Sequence, residues 1–545
     1  DGGMLCKATA GLGVPVSLSP SVGATCPFIV FESADIDSAV DGAIEAAFKT
    51  KKEVQWVLCV QESVLDPVVS RLRLRTAGMK CVALAGDGDR AQVDAAVQEA
   101  QQQGATLVQP CAAPPSGAQY PPTVLCGAAP SSACVFTPAP GPLLPLMSFR
   151  SNTEAVALGN HSPHGQAASI WTEDLTLALE TAKSLSVGSV WVNSHSVSDP
   201  SLPVSGHKDS GTCTDGGQEG LYQFLRPSSS SPPLPRSSSA SLDYAKFGTA
   251  ASPAVIPDGS DPASAPKSYP QFVGGKACKS ESGCSVAVRP PGASVLAYCP
   301  DGGRKDVRNA VEAAANWMKK SPSARAQSLY SLAKGLEAKR RDVAASINAQ
   351  TGLSLEEADK EVELSVARLS DWAACCDKIH GGAPPVPQSG SALALPEALG
   401  VVGLVLPDDR PLLSMATLLG AAVAVGNAVV AVPGQKHPLP ALAFIQVLQS
   451  SDLPAGLVNI VTGSRDQLTA ALANHSVIKA IWYWGSAEGC QYLRYTCTNP
   501  LKTLWLHRQK EGKDGGTDWA RPRPALLEEM WRNAVQWKSV WIPTA

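Results

Sequence analysis

The stretch PFIVFESADIDSAVDGA, residues 27–43, decides the fold class of this 545-residue chain. Its first six residues form an apolar run typical of a buried strand, and apolar residues then recur at helical spacing from Ile36 to Ala47. The alternation continues further along, where a helix is predicted over residues 173–187 and a strand over residues 189–192. This alternation predicts an α/β architecture.

Composition divides the chain into two folded units joined by a linker. Residues 228–268 are rich in Ser, Pro and Ala, and such a segment cannot bury enough apolar surface to order itself. The sequence therefore predicts a first unit over residues 1–227 and a second unit over residues 269–545. Strands and helices alternate again in the second unit, as in a doubly wound, Rossmann-like sheet.

One uncharged stretch, LLSMATLLGAAVAVGNAVVAVP at residues 412–433, is about as long as a membrane span. Gly426 and Asn427 mark a turn inside it, so the stretch divides into an apolar helix and a strand over residues 428–432. We therefore predict no membrane insertion.

Charge and cysteine usage exclude several classes of protein. Lys and Arg total 45 against 48 for Asp and Glu, without basic blocks, so no nucleic-acid partner is predicted. The fifteen cysteines form no CxxC pair and the eight histidines no zinc-ligand spacing, which predicts no metal site and reduced thiols in a cytoplasmic protein. The chain begins at Asp1 without a basic and apolar leader, which predicts a fragment without a signal peptide.

Longer motifs carry a family resemblance. The first unit contains PFIVFESADIDSAVDGA (27–43), NHSPHGQAASIWTEDL (160–175), GSVWVN (188–193) and GHKDSG (206–211). In this order and spacing they resemble the catalytic domain of the aldehyde dehydrogenase superfamily. The motifs beyond the linker resemble the coenzyme-binding part of the same superfamily; they are FVGGK (272–276), EALGVVGLVLPDDRPLL (397–413), AVGNAVVAVP (424–433), LPAGLVNIVTG (453–463) and GSAEG (485–489).

The order of these two parts is inverted, and it resembles the double-unit aldehyde dehydrogenases of the sixteenth family. The resemblance implies that residues 1–227 are a truncated catalytic domain whose own coenzyme-binding domain lies upstream of Asp1. It also implies that residues 269–545 hold a coenzyme-binding-type domain alone. Residues 220–226 match the edge strand through which family members exchange sheet pairing between subunits, so the implied assembly is a homodimer.

The resemblance also assigns the catalytic positions. Family members attack the aldehyde with a cysteine thiolate, stabilise the oxyanion with an asparagine amide and activate water with a glutamate. Gln55 takes the position of the nucleophile, in a loop, and Ser21 the position of the glutamate base; Asp409 replaces the oxyanion donor in the second unit. Cys59 is the alternative nucleophile, but a thiol between Leu58 and Val60 is expected to pack as a small hydrophobe with a raised pKa.

The coenzyme expected from the resemblance is NAD or NADP. In the second unit, Gly485 and Ser486 stand where backbone amides at a strand-to-helix turn could hold a phosphate, although a tight turn alone needs the same residues. Two family contacts to the coenzyme riboses are lost, because Pro138 replaces a carboxylate and Val432 a lysine. His507 occupies the second unit's position for the base.

Three functional hypotheses follow. The chain is an NAD(P)-dependent aldehyde oxidoreductase, a catalytically silent scaffold with protein partners, or a nucleotide sensor without turnover. The loss of nucleophile and base favours the scaffold, because general base catalysis alone contributes about a hundred- to ten-thousandfold in rate. A sequencing or splicing defect beside Gln55 is the alternative explanation for the missing nucleophile, and it leaves Ser21 unexplained.

Overall fold

The computed structural model describes residues 2–12, 18, 24–49, 54–114, 117–225, 242–255, 266–290, 294–314, 320–386, 390–509 and 517–542. These residues form two compact units. We call residues 17–225, 381–396 and 536–545 the nine-stranded unit, and residues 1–16, 226–380 and 397–535 the seven-stranded unit, after their main sheets.

The secondary structure alternates as the sequence predicts. The strands up to residue 225 are β1 Ala24–Val30, β2 Val54–Gln61, β3 Val82–Ala83, β4 Thr106–Val108, β5 Gln119–Tyr120, β6 Thr123–Cys126, β7 Leu143–Phe149, β8 His164–Gly165, β9 Ala167–Trp171, β10 Ser189–Val192, β11 Val204–Ser205, β12 His207–Lys208 and β13 Thr214–Asp215. The helices over the same range are α1 Gly2–Thr9, α2 Ile36–Ile44, α3 Leu65–Thr76, α4 Asp87–Gln102, α5 Ala133–Phe136, α6 Asn152–Gly159, α7 Leu175–Ser184 and α8 Gly217–Tyr222. Three short helices of other types cover Ala10–Leu12, Glu45–Lys49 and Glu62–Val64.

The elements beyond residue 225 follow the same scheme. The strands are β14 Lys267–Ser268, β15 Gln271–Val273, β16 Lys276–Cys278, β17 Ser285–Val288, β18 Ala297–Pro300, β19 Ser391–Ala398, β20 Val401–Val405, β21 Ala428–Val432, β22 Val458–Ile460, β23 Ile478–Gly485, β24 Thr503–Arg508 and β25 Val535–Ile542. The helices are α9 Arg304–Glu312, α10 Pro322–Ala338, α11 Arg340–Thr351, α12 Leu355–Cys375, α13 Pro411–Ala424, α14 Leu439–Gln449, α15 Arg465–Asn474, α16 Ala487–Thr496 and α17 Pro524–Arg532.

The nine-stranded unit is built around a largely parallel sheet with the strand order β19-β25-β10-β9-β1-β2-β7-β6-β4. Successive residues of β1, together with Phe31 that follows it, contribute to two different apolar cores. Cys26, Phe28 and Val30 pack with helices α2 and α3, whereas Ile29 and Phe31 pack with helices α4, α6 and α7. Because strand side chains alternate between faces, these two cores lie on opposite sides of the sheet. A strand covered on both faces explains why the opening motif begins as a continuous apolar run.

The chain's C-terminal strand extends this sheet. β25 pairs in parallel with β10, with Val190 opposite Val540 and Trp191 opposite Trp541. Lys538 of β25 is fully buried, and its ammonium donates to Ala182 O at 2.9 Å and Leu185 O at 2.6 Å. These carbonyls lie at the carboxyl end of α7, where a cation also complements the helix dipole. Residues remote in sequence therefore complete the first sheet.

The seven-stranded unit has the strand order β16-β15-β22-β21-β20-β23-β24. The pairings from β22 to β24 are parallel, and β20 lies between β21 and β23. The order of the strands reverses at β20, which is the place where doubly wound sheets bind ligands beyond the carboxyl ends of their strands. Helix α13 is buried along its whole length against this sheet.

Several predicted elements agree with the structure. Strands β10 and β21 have the predicted bounds, and the uncharged stretch divides at its Gly-Asn turn into α13 and β21. Helix α12 opens with a capping box, in which Ser354 Oγ accepts from Glu357 N at 3.2 Å and Glu357 Oε2 accepts from Ser354 N at 2.9 Å. None of the helices within the described residues is long and apolar enough to cross a membrane.

The strand predicted from residue 220 is wrong over residues 220–222, which lie in helix α8. Helix α8 covers the start of this segment, and Gly220 N donates to Gly216 O at 2.8 Å. The backbone groups of the segment are thus satisfied within a helix rather than across a sheet. Phe224 and Leu225 follow the helix as exposed side chains.

The predicted linker is partly ordered, which differs from the expectation drawn from its composition. Tyr244 stacks on Tyr495 and Phe247 on Tyr492, with ring centroids 3.8 and 4.2 Å apart. Gln491 Nε2 donates to Tyr244 Oη at 2.9 Å. Two aromatic side chains three residues apart thus dock residues 242–255 on α16, although the surrounding sequence is poor in apolar residues. The predicted domain bounds also differ, because residues 381–396 and 536–545 belong to the nine-stranded unit.

Replacing Lys538 by Met is expected to destabilise the protein by at least about 1–3 kcal/mol, the usual cost of a buried polar group left without its partner. The substitution removes the donor from two buried carbonyls, those of Ala182 and Leu185. Urea unfolding followed by circular dichroism measures the change. Lys183→Met is the matched control, because Lys183 is exposed in the last turn of the same helix. Equal unfolding midpoints for the two variants would contradict this role of Lys538.

Candidate functional site

Gln55 stands at the position that the resemblance assigns to the nucleophile, and both ends of its side-chain amide are engaged. Nε2 donates to Cys134 O and Oε1 accepts from Ala139 N, each at 2.6 Å. The residue is 7% exposed and lies in β2, where it pairs with Thr25 of β1. The prediction that Gln55 lies in a loop is therefore wrong. The side chain braces residues 134–139 against the sheet.

The nearby thiols are poor nucleophiles. Cys59 lies in the middle of β2, between Ile29 of β1 and Met147 of β7, and is fully buried. Burial raises the pKa of the Cys59 thiol to about 12 and that of Cys134 to about 11. Because the thiolate is the reactive form, both side chains stay protonated and unreactive near neutral pH.

A cavity of about 270 Å³ adjoins Gln55. Its walls come from β2, from α4 and from residues 138–143, and Pro138 lines it where the resemblance places a carboxylate. Gln55 and Gln92 contribute the polar side chains, and none of the described residues that line the cavity is charged. The cavity thus offers little to hold a dinucleotide or to activate water.

Other residues of the first-unit motifs have structural roles. Asn193 holds the carboxyl ends of β9 and β10 together, since its amide accepts from Thr172 N at 2.9 Å and donates to Thr172 O at 3.0 Å. Lys208 Nζ donates to Asn160 O and Ser162 O at 2.8 and 2.9 Å. Ser21, predicted at the position of the general base, lies outside the described residues.

In the seven-stranded unit, the side chain of Tyr483 occupies the glycine turn that follows β23. The Tyr483 hydroxyl accepts from Ser486 N at 3.0 Å, and Ser486 Oγ accepts from Gly489 N at 3.0 Å. A β-carbon at Gly485 or Gly489 would overlap this hydroxyl. The glycines therefore make room for Tyr483, and two of the amides that open α16 are already satisfied. Sequence reasoning missed Tyr483, although a tyrosine in the apolar strand just before the turn is a visible signal.

The neighbouring strand ends are also tied together. Asp408 Oδ1 accepts from Arg465 Nη2 at 2.8 Å and from Lys436 N at 2.9 Å, and the side chains of Asp408 and Arg465 are 9% and 12% exposed. Val432, where the resemblance places a ribose-binding lysine, is buried. Asp408 thus links the segments that follow β20, β21 and β22, while Arg465 Nε is buried without a hydrogen-bond partner among the described residues.

The oxyanion position of this unit carries the acceptor Asp409 in place of an amide donor. Asp409 is exposed, and Arg410 follows it with a left-handed φ of 44°. The buried carboxylate of Glu361 accepts from Leu412 N at 3.0 Å and Leu413 N at 3.3 Å, which caps α13. Burial raises the pKa of Glu361. Sequence reasoning missed this residue, because the capping carboxylate comes from a different helix.

His507, at the position of the base in this unit, belongs to an aromatic cluster. Its ring stacks on Trp484 with the centroids 4.6 Å apart and meets Trp505 edge-on at 4.9 Å. Burial lowers the pKa of His507 to about 4, so the imidazole is neutral near neutral pH. The described residues contain no group of His, Cys, Asp and Glu side chains that could hold a metal ion.

Comparison with known proteins identifies the family. Residues 6–229 and 278–508 match the sequence model of the aldehyde dehydrogenase family. This chain belongs to the aldehyde dehydrogenase family. The architecture described above is α/β, as the sequence predicts.

Individual relatives cover only part of the chain. Hydroxyisobutyraldehyde dehydrogenase of Mycolicibacterium austroafricanum is 31% identical over 222 residues, which are 40% of this chain and 44% of that protein. The NADP/NAD-dependent aldehyde dehydrogenase PuuC of Escherichia coli is 31% identical over 219 residues, 39% of this chain and 44% of that protein. The chain thus spans less than half the length of these curated relatives. The NAD+ complex of a Bacillus cereus aldehyde dehydrogenase is 26% identical, with a TM-score of 0.42 over 44% of this chain and 50% of that one.

The residues present do not fit the coenzyme that the family implies. In the seven-stranded unit, the Tyr483 hydroxyl already accepts a backbone N–H at the turn where a pyrophosphate would bind. The ion pair of Asp408 and Arg465 links the strand ends beyond which a doubly wound sheet binds its ligand. In the nine-stranded unit, the side chain of Pro138 offers no acceptor for a ribose hydroxyl.

We expect Gln55→Leu to lower the free energy of unfolding by about 1–3 kcal/mol for each hydrogen bond whose buried partner stays unsatisfied. These partners are Cys134 O and Ala139 N. Chemical denaturation gives the difference. Gln92→Leu is the control, because Gln92 lines the same cavity with an exposed side chain. A Gln55→Leu protein as stable as the Gln92→Leu protein would disprove the bracing role.

His507 makes stability depend on pH. Its pKa is about 4 in the folded protein and 6.5 in an unfolded chain, so between these pH values the unfolded chain binds the proton more readily. The contribution of neutral His507 to the free energy of unfolding is therefore fully present above pH 6.5. It falls towards pH 4, at up to about 1.4 kcal/mol per pH unit. His507→Phe keeps the ring stacking and is expected to flatten this loss in denaturant titrations across the range. The exposed His380→Phe variant should keep the wild-type slope; the same slope in all three proteins would refute the prediction.

Proposed function

We propose that this chain is a catalytically silent member of the aldehyde dehydrogenase family that serves as a scaffold or interaction protein. The observation that carries the proposal is the state of Gln55. A glutamine amide has no thiolate to form a thiohemiacetal with an aldehyde, and both ends of this amide hold the fold. A position that has become part of the internal hydrogen bonding of the protein supports a structural role.

The surroundings of Gln55 support the same proposal. Two buried thiols lie near Gln55. Cys59 belongs to the same strand, and the backbone of Cys134 accepts a hydrogen bond from the Gln55 amide. Both thiols have raised pKa values. The cavity beside Gln55 is lined by uncharged residues. An aldehyde bound there would meet neither an activated nucleophile nor a base for the hydrolytic water.

The order of the matched motifs supports a finer assignment. We propose that the chain is part of a double-unit protein like those of the sixteenth family, with catalytic-domain motifs before the linker and coenzyme-domain motifs after it. We also propose that the protein is a homodimer, that it has further protein partners and that it is located in the cytoplasm. The fifteen free cysteines are compatible with a reducing compartment. Light scattering during size-exclusion chromatography tests the dimer, and a single monomer peak would exclude it.

The alternative function is that of an NAD(P)-dependent oxidoreductase acting on aldehydes. Membership of the family favours it, and PuuC of Escherichia coli bears the name of an NADP/NAD-dependent aldehyde dehydrogenase. Under this alternative Cys59 would have to leave the sheet to reach a substrate. A nucleotide sensor without turnover is the third possibility, and it requires coenzyme binding alone.

The purified chain is expected to form no NADH or NADPH with aliphatic and aromatic aldehydes, because it lacks a reactive thiol beside the cavity. The assay includes PuuC of Escherichia coli as an active enzyme and a Cys59→Ala variant of this chain. Turnover that Cys59→Ala abolishes would overturn the proposal and establish the oxidoreductase.

Calorimetric titration with NAD and NADP separates a scaffold from a sensor. We expect no heat of binding, because the turn after β23 is filled by Tyr483. Binding without turnover would favour the sensor, provided that the protein is folded by circular dichroism.

A further inference from the structure

Two cysteines away from the candidate site lie close together in the nine-stranded unit. Cys81 immediately precedes β3, and Cys111 follows β4. Their sulfur atoms are 3.8 Å apart and share a hydrogen bond. Cys111 is exposed and Cys81 is half-buried, so small oxidants in solvent can reach the pair.

We propose that Cys81 and Cys111 are an oxidisable dithiol that forms an intramolecular disulfide when the protein meets a peroxide. The two sulfurs already face each other, and they need to approach from 3.8 Å to the bonding distance of about 2.05 Å. Both residues lie outside regular secondary structure, where the backbone can make this small adjustment. The inference does not depend on whether the chain has catalytic activity.

The chemistry proceeds in two steps that balance. The Cys81 thiolate attacks one peroxide oxygen and the O–O bond breaks, which gives a sulfenic acid at Cys81 and, after protonation, one water. The Cys111 sulfur then attacks the Cys81 sulfur, the S–O bond breaks and a second water leaves. Two thiols are oxidised to one disulfide, while hydrogen peroxide is reduced to two molecules of water.

Either sulfur can be the donor in the hydrogen bond between Cys81 and Cys111. The hydrogen bond with Cys81 raises the pKa of the Cys111 thiol, as expected if Cys111 keeps its proton and donates it to the Cys81 sulfur. A thiol with a raised pKa forms less of the thiolate that attacks peroxide, so we assign the first step to Cys81 and the second to Cys111. Cys111 is then the resolving cysteine.

A disulfide here would act on the wall of the cavity. The segment between the two cysteines contains α4, whose Gln92 lines the cavity beside Gln55. Val93 of the same helix packs in the apolar core of the unit and would meet a β-carbon added at Gly141. Joining both ends of this segment would restrict the motion of α4 relative to the sheet.

Other cysteines provide the control. Cys375 and Cys376 are adjacent in sequence, but Cys376 is buried and its Sγ donates to Trp372 O at 3.4 Å. The Cys375→Ser variant removes a thiol of intermediate exposure without touching the proposed pair. Its oxidation behaviour should match that of the unmodified protein, apart from the one missing thiol.

The test is to treat the purified chain with one equivalent of hydrogen peroxide and to map its peptides without reduction. We expect a peptide that links Cys81 to Cys111, the loss of two titratable thiols, and recovery of both after dithiothreitol. The linked peptide should also form in Cys375→Ser and be absent from Cys81→Ser and Cys111→Ser. In Cys111→Ser, dimedone should trap the sulfenic acid at Cys81.

Two results would overturn the proposal. One is a map in which Cys81 and Cys111 stay reduced while other thiols are oxidised, and the other is a map in which either pairs with a different cysteine. The map of the unmodified protein decides the matter even if a serine variant fails to fold. Slower amide hydrogen exchange across residues 87–102 in the oxidised protein is the further result expected from restricting α4.

Discussion

The pairing of β25 with β10 is the constraint on which the nine-stranded unit depends. A strand at the edge of a sheet leaves a row of backbone donors and acceptors without partners, and the chain fills this row with its own last described segment. The Lys538 ammonium fixes the added strand to the end of α7, where its charge meets two carbonyls. Residues 391–396 continue the sheet beyond it. The unit is therefore complete only when three separate sections of the sequence are present.

The two places where family chemistry would occur show one common physical change. A catalytic or binding group must keep a donor, acceptor or thiolate free for a ligand, whereas here those groups are engaged within the protein. The Gln55 amide holds a loop, and the Tyr483 hydroxyl accepts the backbone N–H that opens α16. Asp408 Oδ1 is paired with Arg465 Nη2. Internal hydrogen bonds of this kind stabilise the fold and leave fewer donors and acceptors free to bind a ligand.

The sequence predicted those parts of the fold that local signals determine. β10 and β21 were predictable because continuous apolar runs ended at turn residues, and the capping box of α12 because Ser354 and Glu357 have the required spacing. The role of β25 was not predictable, since its pairing with β10 spans about 350 residues and no local pattern encodes a partner. The loop predicted at Gln55 was wrong, because β2 begins at Val54, one residue before it. The order in residues 242–255 depends on the facing Tyr492 and Tyr495, which composition cannot reveal.

Because the apolar cores are separate from the candidate site, the loss of chemistry that we propose would leave the fold intact. The apolar cores on the two faces of the first sheet are built from residues such as Phe28, Ile29 and Val60, none of which the chemistry requires. Burial of these side chains supplies most of the stability of a domain, at roughly 25 cal/mol per Å² of apolar surface. A catalytic thiol and its base contribute little to the stability of the domain and often reduce it, because they are polar groups without internal partners. Replacing them with groups that make internal hydrogen bonds therefore keeps or increases stability, and the surface that remains can be selected for binding other proteins.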